Sequence, residues 1–312
     1  EVLLNLRTIL KNISWCKKDI EAFKPDALIL IDYPGFNLRI AKWAHDKGLK
    51  VFYYISPQIW AWKKKRIFKI KDTVDKMVVI LPFEKEYYKK NGVEVEYYGH
   101  PLVDEVNDFK KTAISLPVFI EKNKLSDKPI IALIPGSREQ EIKRMLPKML
   151  SVVSNFPDNQ FVIGAATSIP DKYYNQFLKD SSVPLLREQT YDLFNLSVAG
   201  LVTSGTATLE AGLFDMPQVV CYMGGAISIA IAKKVANVKY ISLVNLILDR
   251  EIVTELIQSD LTKDNMIKDL SRLLDPDYQK IISQNYSELH TVLGESETSA
   301  KVARSMLKTL YG

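Results

Sequence analysis

Short runs of continuous apolar residues, each closed by a turn and followed by a helical pattern, recur along the chain and leave few folds open to it. Asp26-Ala-Leu-Ile-Leu-Ile-Asp-Tyr33, Lys50-Val-Phe-Tyr-Tyr-Ile55 and residues 77–81 are such runs in the first third, and 93–98 reads as a further strand. Pro129-Ile-Ile-Ala-Leu-Ile134 and residues 161–165, 183–186, 199–202 and 218–222 follow. A strand wetted on one face alternates apolar and polar residues, as 93–98 does; the other runs do not, and Asp26–Tyr33 reads as a buried strand of a parallel sheet flanked by helices. Between them, apolar residues return at helical spacing, as in Leu3, Leu6, Leu10, Ile13, Ile20 and Phe23, a pattern that stops before Pro25. The fold class is therefore α/β, and 312 residues suffice for two such domains. Residues 109–128 read as polar and irregular, with Pro117, Ser126 and Asp127. That places the boundary there, with expected domains 1–115 and 116–295 facing a cleft. From Ile227 onward the pattern is mostly helical, and the last stretch, about 296–312, is an amphipathic helix expected to return to the first domain.

In open parallel sheets, ligands bind beyond the carboxyl ends of the strands. Three turns qualify. Thr203-Ser204-Gly205-Thr206-Ala207-Thr208-Leu209-Glu210 follows the run 199–202 and leads into a helix. Such a turn offers unpaired N–H groups at the positive end of a helix dipole, a phosphate site, with Gly205 allowing close approach and Ser204 and Thr206 adding hydroxyls. Glu210, one helical turn after Thr206, would repel phosphate but can accept hydrogen bonds from a ribose. The same residues equally describe an ordinary capped helix. Gly136-Ser137-Arg138 follows Ile134; its arginine offers a bidentate fork to a diphosphate, or is a solvated turn residue. Two such turns in one domain can clamp a nucleotide diphosphate. Asp32-Tyr33-Pro34-Gly35 ends a strand of the first domain, where Asp32 is either a general base facing the cleft or a turn cap. Asn245 is a sugar ligand or a cap, and His100, between Gly99 and Pro101, is read as a helix-entry residue.

Trp60 and Trp62 stand beside Lys63, Lys64, Lys65, Arg66, Phe68, Lys69 and Lys71. Rings at headgroup level with cations on anionic lipid suit a membrane surface; a solvated helix face is the alternative. A net charge of +5 is compatible with anionic partners but too weak to imply nucleic acid, and no nucleic-acid motif is present. Cys16 and Cys221 lie far apart in apolar contexts and make no disulfide framework, which fits a reducing compartment; the three histidines are not spaced as metal ligands. Asp275-Pro276-Asp277 reads as a turn and helix start rather than a metal motif. No signal peptide is visible, and the longest weakly polar run, 219–232, is too short to span a bilayer. The chain starts at Glu1 inside a helical pattern, so residues upstream are expected.

Taken together these motifs resemble the lipid-A-disaccharide synthases of Gram-negative bacteria. The resemblance rests on Ile31-Asp32-Tyr33-Pro34-Gly35-Phe36-Asn37, Ser56-Pro57-Gln58-Ile59-Trp60-Ala61-Trp62 and Leu81-Pro82-Phe83-Glu84. It continues through Gly99-His100-Pro101, Pro135-Gly136-Ser137-Arg138, the Ser204–Glu210 turn and Ser242-Leu243-Val244-Asn245-Leu246, in family order. It implies two Rossmann-like domains of the B-type glycosyltransferase fold (GT-B) and an inverting transfer with neither metal nor cofactor. The implied donor is UDP-2,3-diacylglucosamine, the acceptor 2,3-diacylglucosamine 1-phosphate, and the products a β(1→6) disaccharide 1-phosphate and UDP. On this reading Asp32 is the base. Gly136, Ser137, Arg138, Ser204, Gly205, Thr206, Ala207, Glu210 and Asn245 hold the donor. Trp60, Trp62, Lys63, Lys64, Lys65, Arg66 and Phe68 meet an anionic membrane, on the inner face of the inner membrane. A homo-oligomer is left open. The family opens with a strand and a Gly-Glu-x-Ser-Gly-Asp-like loop that this chain lacks. The alternatives are another UDP-sugar transferase or epimerase of the same fold, or a UDP- and membrane-binding module without turnover.

Overall fold

The computed structural model describes residues 6–60, 65–178, 181–225 and 239–312. They form two compact units.

The first unit holds the described residues up to Asp104, together with Leu293–Gly312. Its sheet runs β1 (Ala27–Ile31), β2 (Lys50–Tyr54), β3 (Lys76–Val79) and β4 (Glu96–Tyr97), in that spatial order and all parallel. The run 93–98 thus yields only two strand residues. Successive side chains of β2 leave opposite faces. Val51 and Tyr53 enter a core with Leu38, Ile40 and Ala41 of α2 (Pro34–Asp46) and Ile67 and Ile70 of α3 (Arg66–Thr73). Phe52, with Val78 of β3, packs on Val302 and Met306 of the last helix, Thr298–Tyr311. β2 is thus covered on both faces, as its unbroken apolar run requires, whereas β1, read from the sequence as a buried strand, has only Leu30 buried, because an edge position leaves it less cover. That last helix is tied down at both ends. The Asp104 carboxylate accepts the N–H groups of Thr298 and Ser299, and Lys76 donates to Thr309. β1 is an edge strand among the described residues, and its Ile29 and Ile31 remain more than half exposed (53 % and 54 %). An apolar groove of about 590 Å³ lies there, lined by Phe23, Ile29, Tyr54, Met306 and Leu307 among others.

The division between units falls after Asp104 and again before Leu293. Residues 109–128 are largely helical and not irregular throughout. Pro101–Thr112 is one continuous helix, and Leu116–Asn123, with Pro117 in its first turn, is another. A proline in the first helical turn costs no hydrogen bond, so Pro117 starts a helix instead of breaking one.

The second unit is built on six parallel strands. They are β5 (Ile130–Ile134), β6 (Gln160–Ala165), β7 (Leu185–Arg187), β8 (Ala199–Thr203), β9 (Gln218–Tyr222) and β10 (Glu255–Ile257), in spatial order β10-β9-β8-β5-β6-β7. The edge strand β10 is too short and too mixed to stand out from its helical surroundings in the sequence. Every residue of β5 and β8 is buried. The chain leaves β5 for one side of the sheet and returns to begin the other side at β8. The strand order therefore reverses between β5 and β8, which are paired with Ile134 beside Val202.

Candidate active site

At such a reversal the connections from neighbouring strands leave in opposite directions and open a crevice beyond their carboxyl ends. The two phosphate-type turns sit at that point: Gly136-Ser137-Arg138 follows β5, and Ser204-Gly205-Thr206 follows β8.

Gly205 has φ +155° and ψ −160°, a region essentially reserved for glycine, and a Cβ placed on it would meet nothing within 4 Å. Bare backbone thus faces open space directly before the helix Thr206–Leu213, whose first N–H groups have no partner within the helix. The Ser204 hydroxyl is used internally: it donates to the Ile241 carbonyl at 3.0 Å and ties the turn to the segment before Ser242. Glu210 lies in the second turn of this helix. Burial raises its carboxyl above the ordinary range, and Oε1 accepts a hydrogen bond from the Tyr191 hydroxyl at 3.2 Å.

The turn after β5 is occupied by its own chain. Glu141, in the first turn of Glu139–Leu150, reaches back so that Oε2 accepts the Ser137 N–H at 3.0 Å and Oε1 pairs with Arg138 Nη1 at 2.6 Å. Gly136, at φ +109°, is needed twice over, because a Cβ there would also sit 2.6 Å from Glu141 Oε2. Arg138 is otherwise open to solvent, its side chain 78 % exposed. A carboxylate on these donors marks them as suited to an anion.

Asn245 departs from its expected role as a donor ligand. It is fully buried, and its amide is consumed internally. Nδ2 donates to the Val253 carbonyl and to Glu255 Oε1, both at 2.9 Å, while Oδ1 accepts from the N–H groups of Ile252 and Val253. Glu255 Oε1 also accepts from Ser242, through its N–H at 2.9 Å and its hydroxyl at 2.7 Å. The pair thus fastens residues 241–245, which receive the Ser204 hydroxyl, to β10.

In the first unit, Asp32 ends β1 in the left-handed region at φ 45°, followed by Tyr33 at φ 41°. Non-glycine residues are uncommon there, and two in succession persist only where neighbours hold them. The Asp32 carbonyl accepts from the Tyr53 hydroxyl at 2.6 Å and Asn37 Nδ2 at 2.8 Å, which leaves the exposed carboxylate on a fixed backbone. β2 ends in a similar way, with Ile55 at φ 60°. The loop beyond it is held by the buried Glu84, whose Oε1 accepts from the Ser56 hydroxyl at 2.5 Å and Trp60 Nε1 at 3.2 Å, while Oε2 accepts the Leu81 N–H. Burial pushes the Glu84 carboxyl up to about 7 against the pull of these donors. Trp60 also packs edge-on against Phe83 at 5.0 Å. It is therefore an anchor of the loop, with its indole N–H already bonded, and not a free ring at the surface. Lys65 and Phe68 are exposed and Arg66 is half-buried; Trp62, Lys63 and Lys64 lie outside the described residues. His100 is buried, accepts the Leu102 N–H at its helix entry, and is held down to about 4 by desolvation.

A family model described as lipid-A-disaccharide synthetase matches residues 1–309. The chain belongs to this family. A lipid-A-disaccharide synthase of Syntrophus aciditrophicus is 37 % identical over 319 residues, covering 99 % of this chain and 82 % of that protein. Lipid-A-disaccharide synthase 1 of Legionella pneumophila (strain Paris) is 36 % identical, covering 97 % and 80 %. Among solved structures, a complex of MnaA from S. aureus with UDP superposes with a TM-score of 0.70 at 14 % identity, covering 97 % of this chain and 81 % of that one. The calicheamicin glycosyltransferase CalG4 gives 0.58 at 12 %, covering 99 % and 82 %. At that distance the superpositions show the fold alone, that of B-type glycosyltransferases and epimerases. The synthetase motifs Ser56-Pro57 and Leu81-Pro82-Phe83-Glu84 meet through Glu84. No sequence signal isolates Tyr191. Glu141 does carry one: it stands three residues after Arg138, where an acidic residue caps a helix start.

Proposed function

We propose that this chain joins the sugar of UDP-2,3-diacylglucosamine to the 6-hydroxyl of 2,3-diacylglucosamine 1-phosphate. The products are a β(1→6)-linked disaccharide 1-phosphate and UDP. Family membership supports the reaction class. The observation that carries the donor site is the pair of glycine turns side by side where the second sheet reverses order. The diphosphate of the donor takes the N–H groups that open the helix after Gly205, and Arg138 leaves Glu141 for it. These preorganised donors meet the charge that grows on the leaving UDP, so the reading invokes no metal. Glu210 receives the ribose hydroxyls. Asp32 takes the proton of the 6-hydroxyl as that oxygen attacks the anomeric carbon from the face opposite UDP, which inverts the centre.

The acylated substrates place the enzyme at a membrane. No helix among the described residues is long and apolar enough to cross one. Exposed Lys65 and Phe68, within the basic–aromatic run 60–71, fit peripheral contact with anionic lipid on the inner face of the inner membrane. The deciding experiment is Asp32→Ala. Turnover of labelled donor and acceptor should vanish while calorimetric UDP binding stays within about twofold, because the donor groups lie in the other unit. Full turnover in that variant removes Asp32 from the reaction.

A further inference from the structure

Tyr191 stands in the second unit on Thr190–Leu196, the helix between β7 and β8, and no step of the transfer uses it. Its ring is fixed by an aromatic cluster. Phe109 meets it edge-on at 5.4 Å, Phe214 lies at 5.1 Å and Phe194 at 6.4 Å. Phe214 is steadied by Phe109 at 5.6 Å and lies under the Lys110 ammonium. The ring so held puts its hydroxyl 3.2 Å from Glu210 Oε1, to which it donates, with Glu105 a second acceptor beside it.

We infer that Tyr191 is a positioning residue for Glu210, and that the pair makes the donor site select a ribonucleoside diphosphate over its 2′-deoxy counterpart. The inference rests on the reading of Glu210 as the ribose acceptor. A glutamate on a helix has freely turning terminal bonds, and a diol is recognised only if the carboxylate stands still. The phenol stops that rotation by taking one lone pair of Oε1 and leaves the rest of the carboxylate to accept from hydroxyls. The phenol remains a donor across the working range. Burial first, then the charges of Glu210 and of Glu105 on the helix Pro101–Thr112, raise it well above the ordinary tyrosine value. Glu105, exposed, is the other acid facing this phenol.

The test compares UDP with 2′-deoxy-UDP by calorimetry on the full chain, as wild type, Glu210→Ala and Tyr191→Phe. The ratio of the two dissociation constants comes from a single preparation, so it is independent of the fraction folded. Wild type should favour UDP by about tenfold, the scale of one hydrogen bond to a charged group. Glu210→Ala should bring the ratio near one. Tyr191→Phe keeps the ring and its packing, and should weaken UDP several-fold while leaving 2′-deoxy-UDP as in wild type. A wild-type ratio in Tyr191→Phe, with the ratio lost in Glu210→Ala, overturns the positioning role and spares the ribose reading. A ratio preserved in Glu210→Ala overturns both.

Discussion

Glu84 should make the first unit less stable as pH rises, and Glu84→Gln should remove that dependence. The carboxyl titrates at about 7 in the folded unit against an ordinary value of 4.5, because burial outweighs the donors Ser56, Leu81 and Trp60. Each pH unit of displacement is worth about 1.4 kcal/mol, so its charge costs the fold on the order of 3 kcal/mol. Below pH 4.5 the group is protonated in both states and the cost is absent. Between 4.5 and about 7 the unfolded chain gives up its proton first, so stability falls as pH climbs, and above 7 the full cost applies. His100 opposes this trend. Desolvation holds it at about 4 instead of 6.5, so its contribution is lost as pH falls through that window. In wild type His100 therefore offsets part of the Glu84 slope where the two windows overlap. Gln retains an acceptor for Ser56 and Trp60 but carries no charge, and leaves the His100 slope uncovered. Variant stability minus wild-type stability should rise by roughly 2–3 kcal/mol from pH 5 to pH 8. All four tryptophans lie at positions 15, 43, 60 and 62, so urea unfolding followed by tryptophan fluorescence reads this unit alone. A difference constant to within about 0.5 kcal/mol across that range refutes the reasoning, since the carboxyl would then titrate as it does in water.

Asn245→Ala should destabilise the second unit by about 4 kcal/mol in a denaturant titration followed by tyrosine fluorescence, because buried Ile252 and Val253 backbone groups lose their partners. An undiminished midpoint together with lost UDP binding would instead return Asn245 to the donor site. Glu141→Gln frees Arg138 and should tighten UDP binding several-fold by calorimetry; weaker binding would show that Arg138 does not reach the diphosphate. Gly205→Ala puts a methyl where backbone meets open space and forces a glycine-only conformation. It should cost about 1–3 kcal/mol of stability and weaken UDP binding at least tenfold, and wild-type affinity would place the phosphates elsewhere.

The sheets were legible in the sequence because burial on both faces leaves an unbroken apolar run, as in Ile130–Ile134 and Ala199–Thr203. The glycine turns were legible because positive φ and close approach restrict the residue type at Gly136 and Gly205. What stayed hidden depends on pairings distant in sequence. Glu255–Ile257 is a strand only because Gln218–Tyr222 offers it an edge. Asn245 looks like a ligand until Val253 and Glu255 fold onto it. Trp60 looks like a surface ring until Glu84, twenty-four residues on, takes its N–H. The division after Asp104 was masked by polarity, since Pro101–Thr112 and Leu116–Asn123 are short helices with wet faces.

Ala27–Ile31 ends its four-stranded sheet with isoleucines in water and one row of amides and carbonyls unladdered among the described residues. Such a border is adhesive: it recruits any extended peptide with a matching greasy side. A further strand laid along Ala27–Ile31 would ladder that row and cover Ile29 and Ile31.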